Sequence, residues 1–138
     1  MNAIADTGFL VALLEFHDEH HDWAVEVAED IKWPALTCES VLSETAFQVR
    51  SSKLPLEMLQ NGMLRLSFDL TGHQEHLHDL AIRYADRHPD LADLCLIRMS
   101  ELHPRHTIIT VDSDFRVYRR NKREAIPLLC PPKIKMKR

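Results

Sequence analysis

The chain begins with a short apolar stretch that gives way to an amphipathic one. Residues 2–5 have the pattern of a short strand, and residues 7–15 carry apolar side chains at positions 9, 10, 13 and 14, the spacing of a helix that buries one face. Asp6 lies between the two segments. The pattern therefore predicts a strand, an acid at its carboxyl end and a helix.

Helical and strand patterns alternate along the rest of the chain. We predict helices over residues 20–31, 40–49, 55–66, 71–85 and 91–99, and strands over residues 34–37, 107–111 and 126–129. The run 107–111 is β-branched without polar interruption, which is typical of a buried parallel strand. Strands that alternate with helices favour an α/β fold with a parallel sheet covered by helices on both faces.

Length and composition favour one folded domain. A chain of 138 residues with 45% apolar content can bury one core and is short for two domains. There is no run of eighteen apolar residues, and the start lacks the basic region and long apolar stretch of a signal peptide. We therefore expect no membrane association and a cytoplasmic location.

Cysteine and histidine patterns give no support for a disulfide or a zinc site. Cys38, Cys95 and Cys130 are far apart and set among apolar neighbours, which predicts reduced thiols in or near the core. The nine histidines have neither a CxxC partner nor HExxH spacing. We expect them to be surface or helix-end side chains.

The charges are divided unevenly along the chain. Residues 1–115 hold 8 basic and 20 acidic side chains, whereas residues 116–138 hold 9 basic and 1 acidic. A basic segment can meet phosphates, although for the last six residues a simple solvated tail explains the charge equally well.

Four carboxylates stand at strand ends or in the helices that follow. They are Asp6, Glu44, Asp93 and Asp112. The carboxyl ends of parallel strands meet at one crevice, so these acids are expected to converge there. Clustered carboxylates repel one another unless a cation neutralises them, and Mg²⁺ and Mn²⁺ prefer oxygen ligands. The sequence thus proposes a metal site.

Each acid also has a structural interpretation. Asp6 and Asp90 are both placed to cap a helix, and Asp112 and Asp114 to form a turn after a strand. Glu44 could be an ordinary solvated helix residue, although its segment, which includes Phe47, otherwise looks core-facing. Each acid taken singly is better explained by a structural role. Taken together, the acids all occur at strand ends or in the helices that follow.

The chain resembles PIN-domain proteins, and is similar to the VapC-type toxin ribonucleases of prokaryotic toxin-antitoxin systems. The matching segments come in the family's order: residues 5–14, the His20-His21 pair, residues 41–44, residues 90–93 and residues 109–115. The resemblance covers residues 1 to about 130. It implies a three-layer α/β/α domain over residues 1–130, followed by a basic tail over residues 131–138.

The resemblance also implies an endoribonuclease that depends on one or two Mg²⁺ or Mn²⁺ ions. The residues implied as metal ligands and catalytic groups are Asp6, Glu44, Asp93 and Asp112. Supporting candidates around them are Thr7, Asp90, Thr110, Ser113 and Asp114. Candidates for contact with RNA are Arg116, Arg119, Arg120, Lys122 and Arg123, which follow Asp112 closely.

The implied partners are RNA, an antitoxin protein and a second copy of the chain. The apolar residues between positions 54 and 66 could line a groove for the antitoxin or the dimer, and core packing explains them as well. Alternatives are a catalytically silent scaffold that binds RNA or protein, a free-standing RNA-processing nuclease without an antitoxin, and a metal-dependent phosphatase or nuclease acting on DNA. The residues do not distinguish ribose from deoxyribose.

Overall fold

A five-stranded parallel sheet forms the centre of the fold. The structure, a computed structural model, describes residues 1–132. The strands are β1 Ala3–Ala5, β2 Ala35–Thr37, β3 Leu64–Leu66, β4 Thr107–Ile109, β5 Arg119–Arg120, β6 Glu124–Ala125 and β7 Leu128–Leu129. The sheet runs in the order β3-β2-β1-β4-β7, and β5 and β6 form a separate antiparallel pair.

Within residues 1–132, six α-helices flank this sheet and complete the expected three-layer α/β/α arrangement. They are α1 Thr7–Leu14, α2 His21–Glu29, α3 Glu39–Val49, α4 Lys53–Gln60, α5 Gln74–Arg83 and α6 Leu91–Leu102. Helix α1 packs against α2 and α3, and α6 packs against α5, β1 and β4. The predicted α/β class is therefore confirmed.

The central strands are short and completely buried. Ile4 of β1 pairs in register with Ile108 of β4, and both side chains are fully buried. Helix α6 covers them with Leu96, Ile97 and Met99, each fully buried. Continuous apolar burial of this kind is characteristic of parallel strands covered on both faces. It holds the carboxyl ends of β1 and β4 side by side, where Asp6 and Thr110 follow.

The predicted helix over residues 55–66 is wrong in its second half. Helix α4 ends at Gln60, and the chain turns at Gly62, whose φ of 84° lies in the left-handed region that glycine tolerates best. Residues 64–66 then pair with β2 as strand β3. Hydrogen bonding to a neighbouring strand therefore overrides the local apolar pattern.

Two further predictions need correction. The helix predicted over residues 71–85 begins as a 3₁₀ turn over Leu70–His73, capped by Asp69, and becomes α-helical at Gln74. Phe47, expected on a core-facing segment, is 84% exposed on α3. In the neighbouring segment, Leu54 and Leu56 are exposed while Pro55, Met58 and Leu64 are buried, so core packing accounts for part of that apolar run only.

The remaining expectations concern thiols, membranes and the tail. All three cysteines are free, with Cys38 and Cys95 buried, as predicted. Among the helices of residues 1–132, none combines the length and apolarity needed to span a bilayer. Residues 133–138 of the predicted basic tail lie outside the described residues, so the boundary near residue 130 stays a prediction.

Candidate active site

Asp6 and Thr110 meet where β1 and β4 end. The Asp6 backbone N–H donates to the Ile109 carbonyl at 3.1 Å, which extends the pairing of the two strands by one step. The Thr110 hydroxyl donates to Asp6 Oδ2 at 2.7 Å, and its oxygen accepts from the Asp112 backbone N–H at 3.1 Å. One buried hydroxyl therefore links Asp6 to the backbone of Asp112.

Helix α3 brings Glu44 to the same place. The Thr7 hydroxyl donates to Glu44 Oε1 at 3.3 Å, across the contact between α1 and α3. The Thr7 backbone N–H donates to Asp6 Oδ1, so Asp6 also caps α1. Thr7 thus contacts both carboxylates, and the capping interpretation of Asp6 holds alongside its place in the site.

Helix α6 begins at the site with two acids. Asp90 Oδ1 accepts from the Asp93 backbone N–H at 2.8 Å, which is the expected capping bond. Asp90 is exposed and Asp93 is half-buried. Because the two acids open the same helix, the capping bond keeps both at the entrance of the crevice.

The carboxylates influence one another electrostatically. Burial raises the pKa of Asp6 and of Glu44, and the nearby charge of Asp90 raises both further. Burial, and then repulsion from Asp90 and Asp6, raises the pKa of Asp93 to about 7. Shifts of this kind mark groups whose charges are held close together, and they cluster at functional sites.

A cavity of about 350 Å³ opens beside Asp93, whereas Asp6 and Glu44 are not among the residues that line it. Its walls include Asp93, Asp112 and Asp114. Asp112 Oδ1 accepts from the Asp114 backbone N–H at 2.9 Å, so the turn-forming interpretation of Asp112 also holds. Ser113 begins the 3₁₀ turn Ser113–Val117 that follows.

The acids are neighbours and not a closed set of ligands. Within residues 1–132, no three His, Cys, Asp or Glu side chains are close enough to form a ready-made metal-binding group. Several histidines have structural partners, among them His21, whose Nδ1 lies 2.8 Å from the Ala12 carbonyl, and His76, whose Nε2 lies 2.7 Å from Glu101 Oε1.

Arg120 does not lie where the sequence placed it. Its side chain is 5% exposed, and its guanidinium donates to Ser100, Pro104 and Glu124. These contacts tie the β5–β6 pair to the carboxyl end of α6, about 10 Å along the helix from Asp93. Arg120 therefore serves the packing of the fold, and its burial does not favour the predicted contact with RNA.

The other four basic candidates differ in position. Lys122 lines a separate cavity beside Glu101 and Arg83, away from the acids. Arg116 lies in the 3₁₀ turn directly after Asp112 and is exposed. Arg119 and Arg123 are exposed as well, and Arg119 also donates to the Arg116 and Tyr118 carbonyls.

Sequence reasoning missed three polar or ionisable residues that line the acidic cavity. Arg87, His88 and Tyr118 share its wall with the acids. Burial, and then the charges of Asp93 and other acids, raises the pKa of Tyr118 to about 12. No local pattern singles these residues out, because they reach the site through the turn before α6 and the turn after β4.

Comparison with known proteins places the chain in a family. A search of curated proteins gives no match. The family model of the PIN domain matches residues 3–121, which include Asp6, Glu44, Asp90, Asp93, Asp112 and Asp114 and every strand of the five-stranded sheet except β7. PIN domains are generally nucleases that act on RNA or other nucleic acid. The chain therefore belongs to the PIN domain family.

Proposed function

We propose that this protein is an Mg²⁺- or Mn²⁺-dependent endoribonuclease and the toxin of a toxin-antitoxin pair. The observation that carries the proposal is the convergence of Asp6, Glu44 and Asp93, which come from three separate parts of the chain. In addition to burial, the charge of Asp90 raises the pKa of all three, and the charge of Asp6 raises the pKa of Glu44 and of Asp93. Holding like charges close together is unfavourable for folding. Such groups cluster at functional sites, and the cation of a metal-dependent nuclease would neutralise them.

The donor set fits a hard divalent cation. Asp6, Glu44, Asp93 and Asp112 would hold one or two ions, and all four offer carboxylate oxygens, the ligands that Mg²⁺ and Mn²⁺ favour. When bound, such an ion supplies activation of water and neutralisation of the charge that develops on the phosphate. Asp90 and Asp114 stand beside these four as supporting acids.

The chain's own residues orient the carboxylates. Thr110 fixes one oxygen of Asp6, and the Thr7 backbone N–H fixes the other. The Thr7 hydroxyl holds one oxygen of Glu44, which leaves its second oxygen for a ligand. Ser113 is proposed to offer a hydroxyl to water or a ligand near Asp112.

Exposed apolar side chains on α3 and α4 are candidates for contact with the proposed antitoxin and with a second copy of the chain. Phe47 is 84% exposed on α3, and Leu56 is 51% exposed on the following helix α4. A protein partner that covered them would remove apolar surface from water. We propose that the antitoxin covers these side chains, and we include homodimer formation in the proposal.

The first experiment is cleavage of a structured RNA pool by the purified full chain with Mg²⁺, with Mn²⁺ and with EDTA. Asp6→Asn is the test variant, and Asp22→Asn, which removes an exposed acid on α2, is its matched control. We expect metal-dependent cuts with the wild type and the control and none with Asp6→Asn. Equal cleavage by Asp6→Asn would identify a contaminating nuclease and remove the support for the proposal.

The toxin role needs a separate measurement. Induced expression in bacterial cells should slow growth with the wild type and not with Asp6→Asn. Co-expression of a small DNA-binding protein encoded beside the gene should restore growth and form a complex with the chain. RNA cleavage without growth inhibition or a partner would favour the free-standing nuclease, and RNA binding without cleavage would favour the silent scaffold.

A further inference from the structure

We propose that Arg87 binds a backbone phosphate of the RNA strand and positions that strand across the acidic cavity. The inference rests on the proposed function, since it assigns a substrate-positioning residue to the same site. It also replaces part of the basic surface expected from residues 116–123, because Arg120 is buried in a structural network and Lys122 lies elsewhere.

The cavity has opposite charges on its wall. Three acidic residues, Asp93, Asp112 and Asp114, and one basic residue, Arg87, line the same 350 Å³ space. A phosphodiester strand that reaches the carboxylates therefore passes within the reach of Arg87. Guanidinium groups present paired N–H donors that match the oxygens of a phosphate.

Arg87 is uncommitted within the part of the chain that the structure describes. Over residues 1–132 its guanidinium makes no ion pair and no hydrogen bond, and the side chain is exposed. In contrast, Arg98 and Arg120 are each bonded to a glutamate. An arginine beside three carboxylates that pairs with none of them remains free for a ligand anion.

The backbone around Arg87 is held in an uncommon conformation. Arg87 ends the 3₁₀ turn Ala85–Arg87, and its backbone N–H donates to the Tyr84 carbonyl at 2.8 Å. His88 follows with φ 49° and ψ 51°, the left-handed region that non-glycine residues seldom adopt. Strained residues persist where the surroundings fix them, and they concentrate at functional sites.

Aromatic contacts fix this turn to the loop that carries Asp112. The Tyr84 hydroxyl accepts from the Arg119 backbone N–H at 3.0 Å, and the Tyr84 and Tyr118 rings meet edge to face at 5.0 Å. Tyr118 meets the buried ring of Phe115 at the same separation. The turn of Arg87 and the 3₁₀ turn after Asp112 are thus joined, which sets Arg87 in a defined position relative to the acids.

The test uses the full chain and a fluorescein-labelled single-stranded RNA oligonucleotide in EDTA, so that no cleavage occurs. Arg87→Ala removes the group, Arg87→Lys keeps a charge without the paired donors, and Arg83→Ala is the matched control. Arg83 is an exposed arginine on α5 that lines the other cavity. Fluorescence anisotropy over a series of salt concentrations gives the affinity and its salt dependence, and thermal melting checks the fold of each variant.

We expect Arg87→Ala to weaken RNA binding about five- to tenfold and to lower the slope of log K against log salt by about 0.7, the value for one contact to single-stranded nucleic acid. Arg87→Lys should recover part of the affinity, and Arg83→Ala should match the wild type. In the metal-dependent cleavage assay, Arg87→Ala should raise KM by the same factor and leave kcat within about twofold.

The outcomes separate this inference from the proposed function. Absence of cleavage by the wild type would overturn the nuclease proposal, while a specific loss of RNA binding in Arg87→Ala would still support the phosphate contact. Equal affinities and salt slopes for Arg87→Ala and Arg83→Ala would overturn the inference even if the wild type cleaves RNA. Failure of the wild type to bind RNA in EDTA at low salt would overturn this inference, while the cleavage assay with metal would still decide the nuclease proposal.

Discussion

Thr110 and Asp6 are 104 residues apart in the sequence and are joined by a 2.7 Å hydrogen bond at the end of the sheet. Thr110 is completely buried, and its hydroxyl oxygen also receives the Asp112 backbone N–H. The hydroxyl therefore donates to one acid of the site and accepts from the backbone of another. Loss of the Thr110 hydroxyl should disturb the positions of Asp6 and Asp112 while leaving the surface of the protein unchanged.

Thr110→Val removes this hydroxyl and keeps the shape of the side chain. We expect the free energy of unfolding to fall by about 1–2 kcal/mol, because a carboxylate hydrogen bond is lost and the Asp112 backbone N–H loses its acceptor. RNA cleavage should fall about tenfold, since the Asp6 carboxyl becomes free to rotate. Chemical denaturation and initial cleavage rates at fixed RNA concentration measure the two effects.

Thr110→Ser is the matched control, because it retains the hydroxyl and loses only a methyl group. It should keep most of the cleavage rate even if its stability falls by a similar amount. A cleavage rate in Thr110→Val equal to that in Thr110→Ser would show that the bridge does not matter for activity.

Gly8 lies where α1 passes close to the residue before Asp112. A Cβ added at Gly8 would overlap Val111 Cγ2, and the β-branched side chain of Val111 has little rotational freedom with which to move away. Gly8→Ala should therefore lower the free energy of unfolding by about 1–3 kcal/mol. It should also reduce RNA cleavage, because a shift of Val111 would displace the adjoining residue Asp112.

A double variant tests this explanation. Val111→Ala removes the methyl groups that the new Cβ would meet, so Gly8→Ala combined with Val111→Ala should be more stable than the sum of the two single changes predicts. Additive losses in the double variant would mean that Gly8 matters for another reason.

The sequence predicted β1 and the start of β4 better than it predicted the middle of the chain. Asp6 directly follows β1 as expected, whereas the strand predicted over residues 107–111 ends at Ile109, so that Thr110 and Val111 stand between β4 and Asp112. Strand β3 could not be found in this way, because its apolar residues continue the spacing of α4 and only the pairing with β2 makes residues 64–66 extended. The turn at Gly62 was the available signal.

The basic side of the site illustrates a second limit. Nearness to Asp112 in the sequence suggested Arg120, yet its partners Ser100 and Glu124 hold it beside the far end of α6. Arg87 is 25 positions before Asp112 and reaches the same cavity through the fold. The composition indicated that basic side chains are present, and tertiary packing determines which of them lie near the acids.

Glu44 should be needed for the stabilising effect of a divalent cation. If Mn²⁺ binds the native state, it raises the melting temperature by an amount that depends on its affinity. We expect a rise with the wild type that EDTA reverses, and a clearly smaller rise with Glu44→Gln. Differential scanning fluorimetry over a series of Mn²⁺ concentrations measures the shift without any requirement for RNA.

Glu39→Gln provides the comparison for that experiment. Glu39 is an exposed acid in the first turn of the same helix, so its replacement removes one negative charge from α3 outside the crevice. It should respond to Mn²⁺ as the wild type does. Equal shifts in both variants would exclude Glu44 as a ligand and indicate nonspecific attraction of the cation.

Asp93 should make the metal-free protein less stable as the pH rises. Burial, and then repulsion from Asp90 and Asp6, raises its pKa from the usual 3.8 to about 7. Between these values the native state retains a proton that the unfolded state has lost, so the stabilising contribution is fully present below about pH 3.8 and disappears as the pH passes about 7.

Asp93→Asn cannot ionise and should therefore flatten this pH dependence. With EDTA present, the variant and the wild type should be similarly stable near pH 4, and the variant should be more stable near pH 8 by about 1–2 kcal/mol, a value reduced for the partial exposure of the carboxyl. Urea denaturation across this range, beside Asp22→Asn to account for the loss of one acidic side chain, measures the difference. Parallel curves for Asp93→Asn and the wild type would mean that Asp93 is not held in a repulsive, desolvated position.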